Sequence, residues 1–313
     1  MGNLNRLEVR QEMLERVIDR EKGGMILAQD NSGGSTPGAL AAQGVERNQY
    51  TVDGTAEGEI NPEKMFDLMH ALRSRVMQTE IFNGENMFGT ILFEGTLNKQ
   101  IDGISVVEHA WKRGVVSFLK VDKGLEEEKN GVRLMKDMGD LEATLDQAGE
   151  QGVFGTKMRS FIARPDEAGI QAIVDQQIEY GKRITAKGMV PILEPEVDIN
   201  SSEKRAAEQI LKQKLMAGLD TLEAGQEVML KLTIPEEDNF YQALIDHPRV
   251  LRVVALSGGY DQATACAKLA RQHGMAASFS RASYEGLDMN MEDAEYDCIF
   301  AASVGHIVNA SNT

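Results

Sequence analysis

Eight short apolar segments, each followed by a longer charged stretch, constrain the fold of this chain more than any other feature. The segments are 25–28, 88–93, 117–121, 154–158, 190–193, 228–232, 250–256 and 276–279. The stretches between them have helical periodicity; in 165–187, for example, Ile170, Ile173 and Ile178 fall on one helical face. Strand followed by helix, repeated, is typical of parallel sheets. Eight such units predict an α/β fold, a closed (β/α)8 TIM barrel rather than an open doubly wound sheet.

The chain contains no compositional linker that would divide it into two domains. At 313 residues it has a length that a single α/β barrel can reach. We therefore expect one domain over 1–313, with an N-terminal helix at 1–22 lying outside the barrel, the barrel at 23–285, and a C-terminal helix and tail at 286–313.

The acidic composition restricts the classes of partner. A formal net charge of −16 argues against nonspecific binding to nucleic acid or to an anionic membrane, since both depend on clustered Lys and Arg. No apolar run has the length of a signal peptide or a membrane span. Cys266 and Cys298 lack the paired spacing of a disulfide framework or a zinc site. These features predict a cytoplasmic protein with reduced thiols.

Charged side chains stand where most of the predicted strands end. They are Asp30, Lys120, Lys157, Arg159, Glu194, Glu196, Lys231 and Arg281. Because side chains alternate along a strand, charged residues two apart, such as Lys157 and Arg159, share one face. A single strand-end charge is ordinarily solvated. Such a concentration at the end of the barrel that carries active sites predicts one shared pocket.

Two small-residue loops follow predicted strands and are suited to binding phosphate. Ser257, Gly258 and Gly259 follow the seventh segment, and a Ser-Gly-Gly-Ser loop at 32–35 follows the first. Successive backbone N–H groups in such loops form anion-binding nests. Each loop alone is also compatible with a plain turn.

Lys231 is the candidate nucleophile. An amine attacks a carbonyl only when it is neutral, which requires burial or neighbouring cations, and Lys231 lies within an apolar segment. Lys157 and Arg159 are the candidate neighbouring cations. Glu194 is placed to move protons, and Asp30 to accept one from a substrate hydroxyl.

A metal-dependent alternative has less support in the sequence. The histidines are His70, His109, His247, His273 and His306, and no two of them have the spacing of a zinc site. A magnesium ion held by Glu194 and Glu196 stays open, although the neighbouring lysines would compete with it.

At these residues the sequence resembles the class I fructose-bisphosphate aldolases, and more closely the bacterial branch of that class. The matching segments, in the order of the family, are MILAQD (25–30), ILFE (91–94), LKVDKG (119–124), GTKMR (155–159), VPILEPE (190–196), LKLT (230–233), LSGG (256–259) and SFSRA (278–282). The VDKG, EPE and LSGG elements together are far more specific than any one alone.

The resemblance implies a role for each matching residue. Lys231 corresponds to the Schiff-base lysine, Lys157 to its cationic partner, Glu194 to the acid/base of the carbinolamine steps, and Asp30 to the residue that handles the C4 hydroxyl. The implied binders of the C1 phosphate are Ser257, Gly258 and Arg281, and those on the C6 side are Ser32, Ser35 and Lys120. Gly259 and Ser280 are further candidates for substrate or phosphate binding, and Arg159 and Glu196 match second-line charged residues of the family.

The resemblance also implies the activity, which is reversible cleavage of fructose 1,6-bisphosphate in glycolysis and gluconeogenesis. It implies sugar-phosphate ligands and no cofactor or metal, and we expect a homo-oligomer of a size that the sequence does not fix. Animal members end in a tail with a tyrosine that takes part in proton exchange on the enamine. This sequence has its last tyrosine at Tyr296, which leaves open the group that reprotonates the enamine.

Two other interpretations share parts of this pattern. A transaldolase or keto-acid aldolase would use the same lysine, but two phosphate loops argue for a substrate with two phosphates. A noncatalytic binding protein would keep the phosphate loops, but it has no use for Lys231 beside Lys157 and Glu194.

Overall fold

The computed structural model describes residues 3–313, with side chains from residue 8 onward, and shows a (β/α)8 barrel. Its strands are β1 (Met25–Gln29), β2 (Met87–Leu92), β3 (Val116–Lys120), β4 (Gly155–Ile162), β5 (Val190–Val197), β6 (Val228–Thr233), β7 (Val250–Leu256) and β8 (Met275–Ala277). Each strand pairs in parallel with the next. The N–H of Ala28 donates to the carbonyl of Phe279 at 3.1 Å, which joins β1 to the chain after β8. The predicted barrel is confirmed.

Helices follow the strands and cover the barrel. They are α1 (Asn3–Ile18), α2 (Thr36–Ala41), α3 (Pro62–Gln78), α4 (Glu94–Leu97), α5 (Val106–Lys112), α6 (Leu141–Glu150), α7 (Glu167–Ala186), α8 (Lys204–Leu219), α9 (Gln242–Ile245), α10 (Gln262–Leu269) and α11 (Asp293–Ser311). Short 3-10 helices occupy Arg47–Tyr50 and Arg281–Tyr284. Asp166 caps α7 by accepting from the N–H of Gly169 at 2.7 Å. No helix of the described chain is long and apolar enough to cross a membrane.

Three strand ends differ by two or more residues from those that the apolar pattern predicted, and the other boundaries agree to within one residue. Strands β4 and β5 continue through their charged ends to Ile162 and Val197, because polar side chains that face a cavity interrupt the apolar run without ending the strand. Strand β8 ends at Ala277 rather than at Phe279, because the chain then turns into the 3-10 helix that begins at Arg281. Val132–Arg133 adds to the barrel sheet by antiparallel pairing with the end of β4, whereas Gln100–Ile101 and Ile104–Ser105 form a separate two-stranded antiparallel sheet.

Helix α1 lies across the N-terminal end of the barrel. Met13 and Val17 pack with the barrel-lining residues Ile26 and Val116. Arg252, buried on β7, donates to the carbonyls of Val17 (3.2 Å), Asp19 (3.0 Å) and Gly23 (3.2 Å). The predicted N-terminal helix is therefore a floor beneath the strands, and its predicted residues 1 and 2 lie outside the described part of the chain.

Two glycines make room for an aromatic ring inside the barrel. Phe118 of β3 points inward, and a Cβ added to Gly155 would lie 2.8 Å from its ring and 2.1 Å from the carbonyl oxygen of Val190. A Cβ on Gly89 would lie 3.0 Å from the same ring. Phe118 fills this space and makes an edge-to-face contact with Phe154, with ring centroids 5.7 Å apart.

Replacing Gly155 by Ala should therefore destabilise the barrel. The added methyl cannot be accommodated beside a backbone carbonyl, and we expect a loss of about 2 kcal/mol in the free energy of unfolding, measured by urea denaturation. Gly149→Ala is the matched control, because Gly149 lies in α6 with nothing within 4 Å of an added Cβ. That change should leave stability equal or slightly higher; equal effects of the two substitutions would contradict the packing explanation.

Candidate active site

The C-terminal ends of the strands surround one polar cavity of about 240 Å3. All of the site residues predicted from the sequence line it: Asp30, Ser32, Ser35, Lys120, Lys157, Arg159, Glu194, Glu196, Lys231, Ser257, Gly258, Gly259, Ser280 and Arg281. Residues far apart in the chain meet here because parallel strands in a closed ring present their carboxyl ends at one face.

Four charged side chains, those of Asp30, Lys157, Glu194 and Lys231, form a continuous chain at the base of the cavity. Glu194 of β5 places Oε1 3.1 Å from the Nζ of Lys231 and Oε2 2.5 Å from the Nζ of Lys157, the latter contact lying outside hydrogen-bond geometry. Lys157 also donates to the Oδ2 of Asp30 at 2.6 Å. One carboxylate therefore contacts both ε-amines. Lys157, Glu194 and Lys231 are all less than 5% exposed.

The mutual contacts decide the charge states of this cluster. Burial disfavours the ionised form of Asp30, but the charges of Lys157 and Lys231 outweigh it and hold the pKa of Asp30 well below its usual value. The same two lysines lower the pKa of Glu194 against the effect of its burial. Asp30 and Glu194 in turn raise the pKa of Lys157, although burial acts in the opposite direction. Both carboxylates are thus ionised at neutral pH.

A second ionic group forms the wall between β3, β4 and β5. Lys120 donates to the Oδ1 and the backbone carbonyl of Asp122, each at 2.6 Å. The other oxygen of Asp122 accepts from the N–H of Arg159 at 3.2 Å. The Nε of Arg159 donates to Glu196. Lys120 is therefore held by its own loop, with its ammonium group at the cavity wall.

The loop after β7 brings backbone and guanidinium groups together. Gly258 and Gly259 have φ of +62° and +116°, a conformation that favours glycine. An added Cβ on Gly258 would lie 2.6 Å from the side chain of Ile199, and one on Gly259 would lie 3.6 Å from an Nη of Arg281. Arg281 is exposed and has no carboxylate within 4.0 Å in the described chain. This side of the cavity is thus suited to an anion.

The loop after β1 is closed by its own serines. The hydroxyl of Ser35 accepts from the N–H of Ser32 at 3.1 Å and lies 3.2 Å from the Ser32 carbonyl. The N–H of Thr36 donates to that same carbonyl at 2.9 Å. These hydrogen bonds hold the loop in a turn in which Ser32 and Ser35 line the cavity.

Three residues that line the cavity were not predicted: Asn31, Leu256 and Ser278. Ser278 could have been predicted from the sequence, because it precedes Ser280 by two positions and would therefore share its face. Asn31 follows Asp30 in a loop, where no periodicity applies. Leu256 is an apolar strand residue that nothing in the sequence distinguishes from the core.

A larger cavity of about 380 Å3 adjoins the site and shares Asn31 and Arg281 with it. Its walls are mainly apolar, with Leu72, Val76 and Ala282 among them. None of Asp30, Lys157, Glu194 and Lys231 lines it. The smaller cavity holds the reactive groups and is therefore the candidate active site.

Replacing Lys157 by Met tests the electrostatics of the cluster. In the intact protein the pKa of Asp30 and of Glu194 is lowered, so the stability that they contribute is present above about pH 4 and is lost at lower pH. Without Lys157, Asp30 is a largely desolvated carboxylate with no direct cationic partner. We expect a loss of about 3 kcal/mol at pH 7 that shrinks towards pH 4 as the carboxylates take up protons, measured by urea denaturation.

The control is Lys187→Met, which removes an exposed ion pair with Asp146. Its effect should stay below about 1 kcal/mol at both pH values. A loss for Lys157→Met that does not change between pH 4 and pH 7 would show that the cluster is not neutralised as described.

Comparison with known proteins agrees with this site. The family model "Fructose-bisphosphate aldolase class-I" matches residues 16–236. A Synechocystis sp. protein named fructose-bisphosphate aldolase class 1 is 49% identical, covering 98% of this chain and 99% of its own. One of the same name from Porphyromonas gingivalis is 47% identical, covering 93% and 96%.

The fold comparison is independent of close sequence similarity. A crystal structure of Plasmodium falciparum fructose-bisphosphate aldolase, in complex with TRAP and a small-molecule inhibitor, superposes with a TM-score of 0.75 at 18% identity. It covers 97% of this chain and 95% of its own, which shows the shared barrel. Together with the family match and the two close relatives, these findings show that the chain belongs to the class I fructose-bisphosphate aldolase family.

Proposed function

We propose that this protein cleaves fructose 1,6-bisphosphate reversibly, as a lyase of glycolysis and gluconeogenesis, through an imine on Lys231. The observation that carries the proposal is the carboxylate of Glu194, which contacts the ε-amines of both Lys231 and Lys157 at the base of the polar cavity. A binding site for sugar phosphates requires cations but not a proton-transfer group between two buried lysines.

The first stage joins substrate and enzyme. The neutral amine of Lys231 attacks the C2 ketone of the open-chain sugar, forming a carbinolamine. Glu194, 3.1 Å from the Nζ of Lys231, first takes the ammonium proton that frees this amine for attack, and a proton of the attacking nitrogen then passes to the C2 oxygen. Glu194 finally returns its own proton to the C2 hydroxyl as that group departs. Water leaves, and the protonated imine that results draws electrons from the C3–C4 bond.

The second stage breaks the carbon–carbon bond. Asp30, held ionised by Lys157, accepts the proton of the C4 hydroxyl, and the electrons of the C3–C4 bond pass into the imine. Glyceraldehyde 3-phosphate leaves. Protonation of the enamine at C3 and hydrolysis of the imine then release dihydroxyacetone phosphate and restore the amine of Lys231.

The two ends of the substrate are assigned to opposite sides of the cavity. The C1 phosphate binds the backbone of Ser257, Gly258 and Gly259, with Ser280 and Arg281 beside it. The C6 phosphate lies towards the remaining phosphate-binding candidates, which are Ser32, Ser35 and Lys120. Arg159 and Glu196 form the wall between the ends.

Further properties belong to the same proposal. The imine supplies the electron sink, so the reaction needs no metal or other cofactor. The chain works as one domain over 1–313, in the cytoplasm, as a homo-oligomer whose ligands are sugar phosphates rather than nucleic acid or membrane. A net charge of −16 supports the exclusion of polyanionic partners.

Lys231→Met should abolish cleavage while the protein stays folded. Borohydride reduction with dihydroxyacetone phosphate, in the presence of a chelator, should add the reduced ligand to the peptide containing Lys231 in the unsubstituted protein and not in the variant, as read by mass spectrometry. Lys187→Met, on the protein surface, should keep both activity and adduct. Turnover that survives in Lys231→Met, or that the chelator removes, would disprove the imine mechanism.

Lys120→Met and Arg281→Met should separate the two phosphate sides. A lost charge-assisted contact costs about 1.5–3 kcal/mol, which is roughly a 10- to 150-fold rise in KM. Lys120→Met should raise KM for fructose 1,6-bisphosphate and leave that for fructose 1-phosphate unchanged, whereas Arg281→Met should raise both. Steady-state kinetics with the two sugars measures this, and equal effects of Lys120→Met on both sugars would reject the assignment of Lys120.

A further inference from the structure

Arg73 of α3 is a buried cation for which the reaction as described has no role. It is 5% exposed and has no carboxylate within 4.0 Å in the described chain. Burial lowers its pKa to about 10, so the side chain stays charged at neutral pH. Buried arginines are rare unless they are paired. Because Arg73 is buried and has no carboxylate partner among the described residues, an ion pair does not explain why this position carries a charge.

The guanidinium of Arg73 joins the ends of two neighbouring strands. Its Nη2 donates to the backbone carbonyl of Asn31 at 2.9 Å, just after β1. Its Nη1 donates to the hydroxyl of Thr96 at 2.6 Å, in α4 after β2. The guanidinium also lies 5.8 Å from the ring centroid of Phe93. Arg73 therefore links the segments that follow β1 and β2 through side-chain hydrogen bonds.

The hydrogen bond from Arg73 to the carbonyl of Asn31 lies just beyond the end of β1. The ladder between β1 and β2 ends at Gln29 and Leu92. Asp30, the next residue, has left the ladder, although it must present its carboxylate to the substrate. The Nη2 of Arg73 holds the main chain one residue further on, at Asn31.

Asp30 is thus held at two points. Lys157 fixes its carboxylate from across the barrel at 2.6 Å, and Arg73 fixes the backbone that follows it. When substrate enters and the C4 hydroxyl approaches Asp30, the backbone anchor keeps the carboxylate in place. Misplacement of a catalytic group by about 1 Å can cost a factor of about 100 in rate.

We propose that Arg73 is a positioning residue for the bond-cleavage step, acting on Asp30 through the carbonyl of Asn31. This inference rests on the proposed function, in which Asp30 accepts the C4 hydroxyl proton. Imine formation depends instead on Lys231 and Glu194, which Arg73 does not contact. Arg73 should therefore affect one half of the reaction and leave the other intact.

Arg75 provides a matched control on the same helix. It also donates to backbone carbonyls, those of Met289 (2.7 Å) and Met291 (2.6 Å), and it pairs with Asp293. Its guanidinium lies 4.1 Å from the ring centroid of Tyr296. Arg75 thus anchors the start of α11, away from Asp30, by the same kind of interaction.

The test compares Arg73→Met, Arg73→Lys and Arg75→Met with the unsubstituted protein. We expect Arg73→Met to lower kcat for fructose 1,6-bisphosphate cleavage by about 10- to 100-fold, with little change in KM. Borohydride trapping of dihydroxyacetone phosphate on Lys231 should keep its rate and its half-saturation. Arg73→Lys, which retains one donor group, should recover part of the loss, and Arg75→Met should keep kcat within about twofold.

A double-mutant cycle with Asp30→Asn tests the route of the effect. If Arg73 acts through Asp30, adding Arg73→Met to Asp30→Asn should lower kcat no further. Additive losses, equal losses of trapping and cleavage, or an equal effect of Arg75→Met would each overturn the proposal. So would failure of both Arg73 variants to fold, which would make Arg73 a residue of structural stability alone.

Failure of the proposed function would look different. In that case the unsubstituted protein would show neither cleavage of the bisphosphate nor an adduct on Lys231. A protein that cleaves and traps, but in which Arg73→Met has no effect on kcat, would retain the proposed function and lose only this inference.

Discussion

The carboxylate of Glu194, placed between the ε-amines of Lys157 and Lys231, is the interaction on which the catalytic end of the barrel depends. An isolated charge in this position would carry a large desolvation cost, and each of these groups is buried within apolar strands. Every charge in the cluster has an oppositely charged neighbour. The C-terminal end of the barrel can therefore hold ionised groups, whereas the barrel interior towards the N-terminal end is filled mainly by apolar side chains. Proton transfer to and from Lys231 then requires no movement of charge from solvent.

The two ends of the barrel stabilise buried charges in different ways. At the N-terminal end, Arg252 is buried without a carboxylate contact and donates to the carbonyls of Val17, Asp19 and Gly23. In the cluster at the C-terminal end, Asp30, Lys157, Glu194 and Lys231 are neutralised by one another and line a cavity. The first arrangement has all its acceptors in the main chain and is therefore fixed, whereas the second leaves charges available to a ligand.

Much of this organisation could be predicted from the sequence, because it is local. Apolar segments and helical periodicity gave the strands and helices, and alternation placed Lys157 and Arg159 on one face. The pairing across the barrel could not be obtained in this way. Lys157 contacts both Asp30 and Glu194 only because the ring of strands closes, and the role of Arg73 depends on where α3 packs. The spacing of residues along the sequence indicates neither contact. The predicted β4 and β5 are too short because charged residues that face the cavity interrupt the apolar run without ending the strand.

The position of α1 across the floor of the barrel has a consequence for the order in which the chain assembles. The carbonyl of Asp19 accepts from Arg252, which lies 233 residues later, so the surface on which α1 docks is complete only after most of the chain has been synthesised. Until β7 is in place, Met13 and Val17 have no complete interior to pack against. Helix α1 is therefore synthesised before most of the surface on which it docks, and its apolar face must stay out of other contacts throughout that interval.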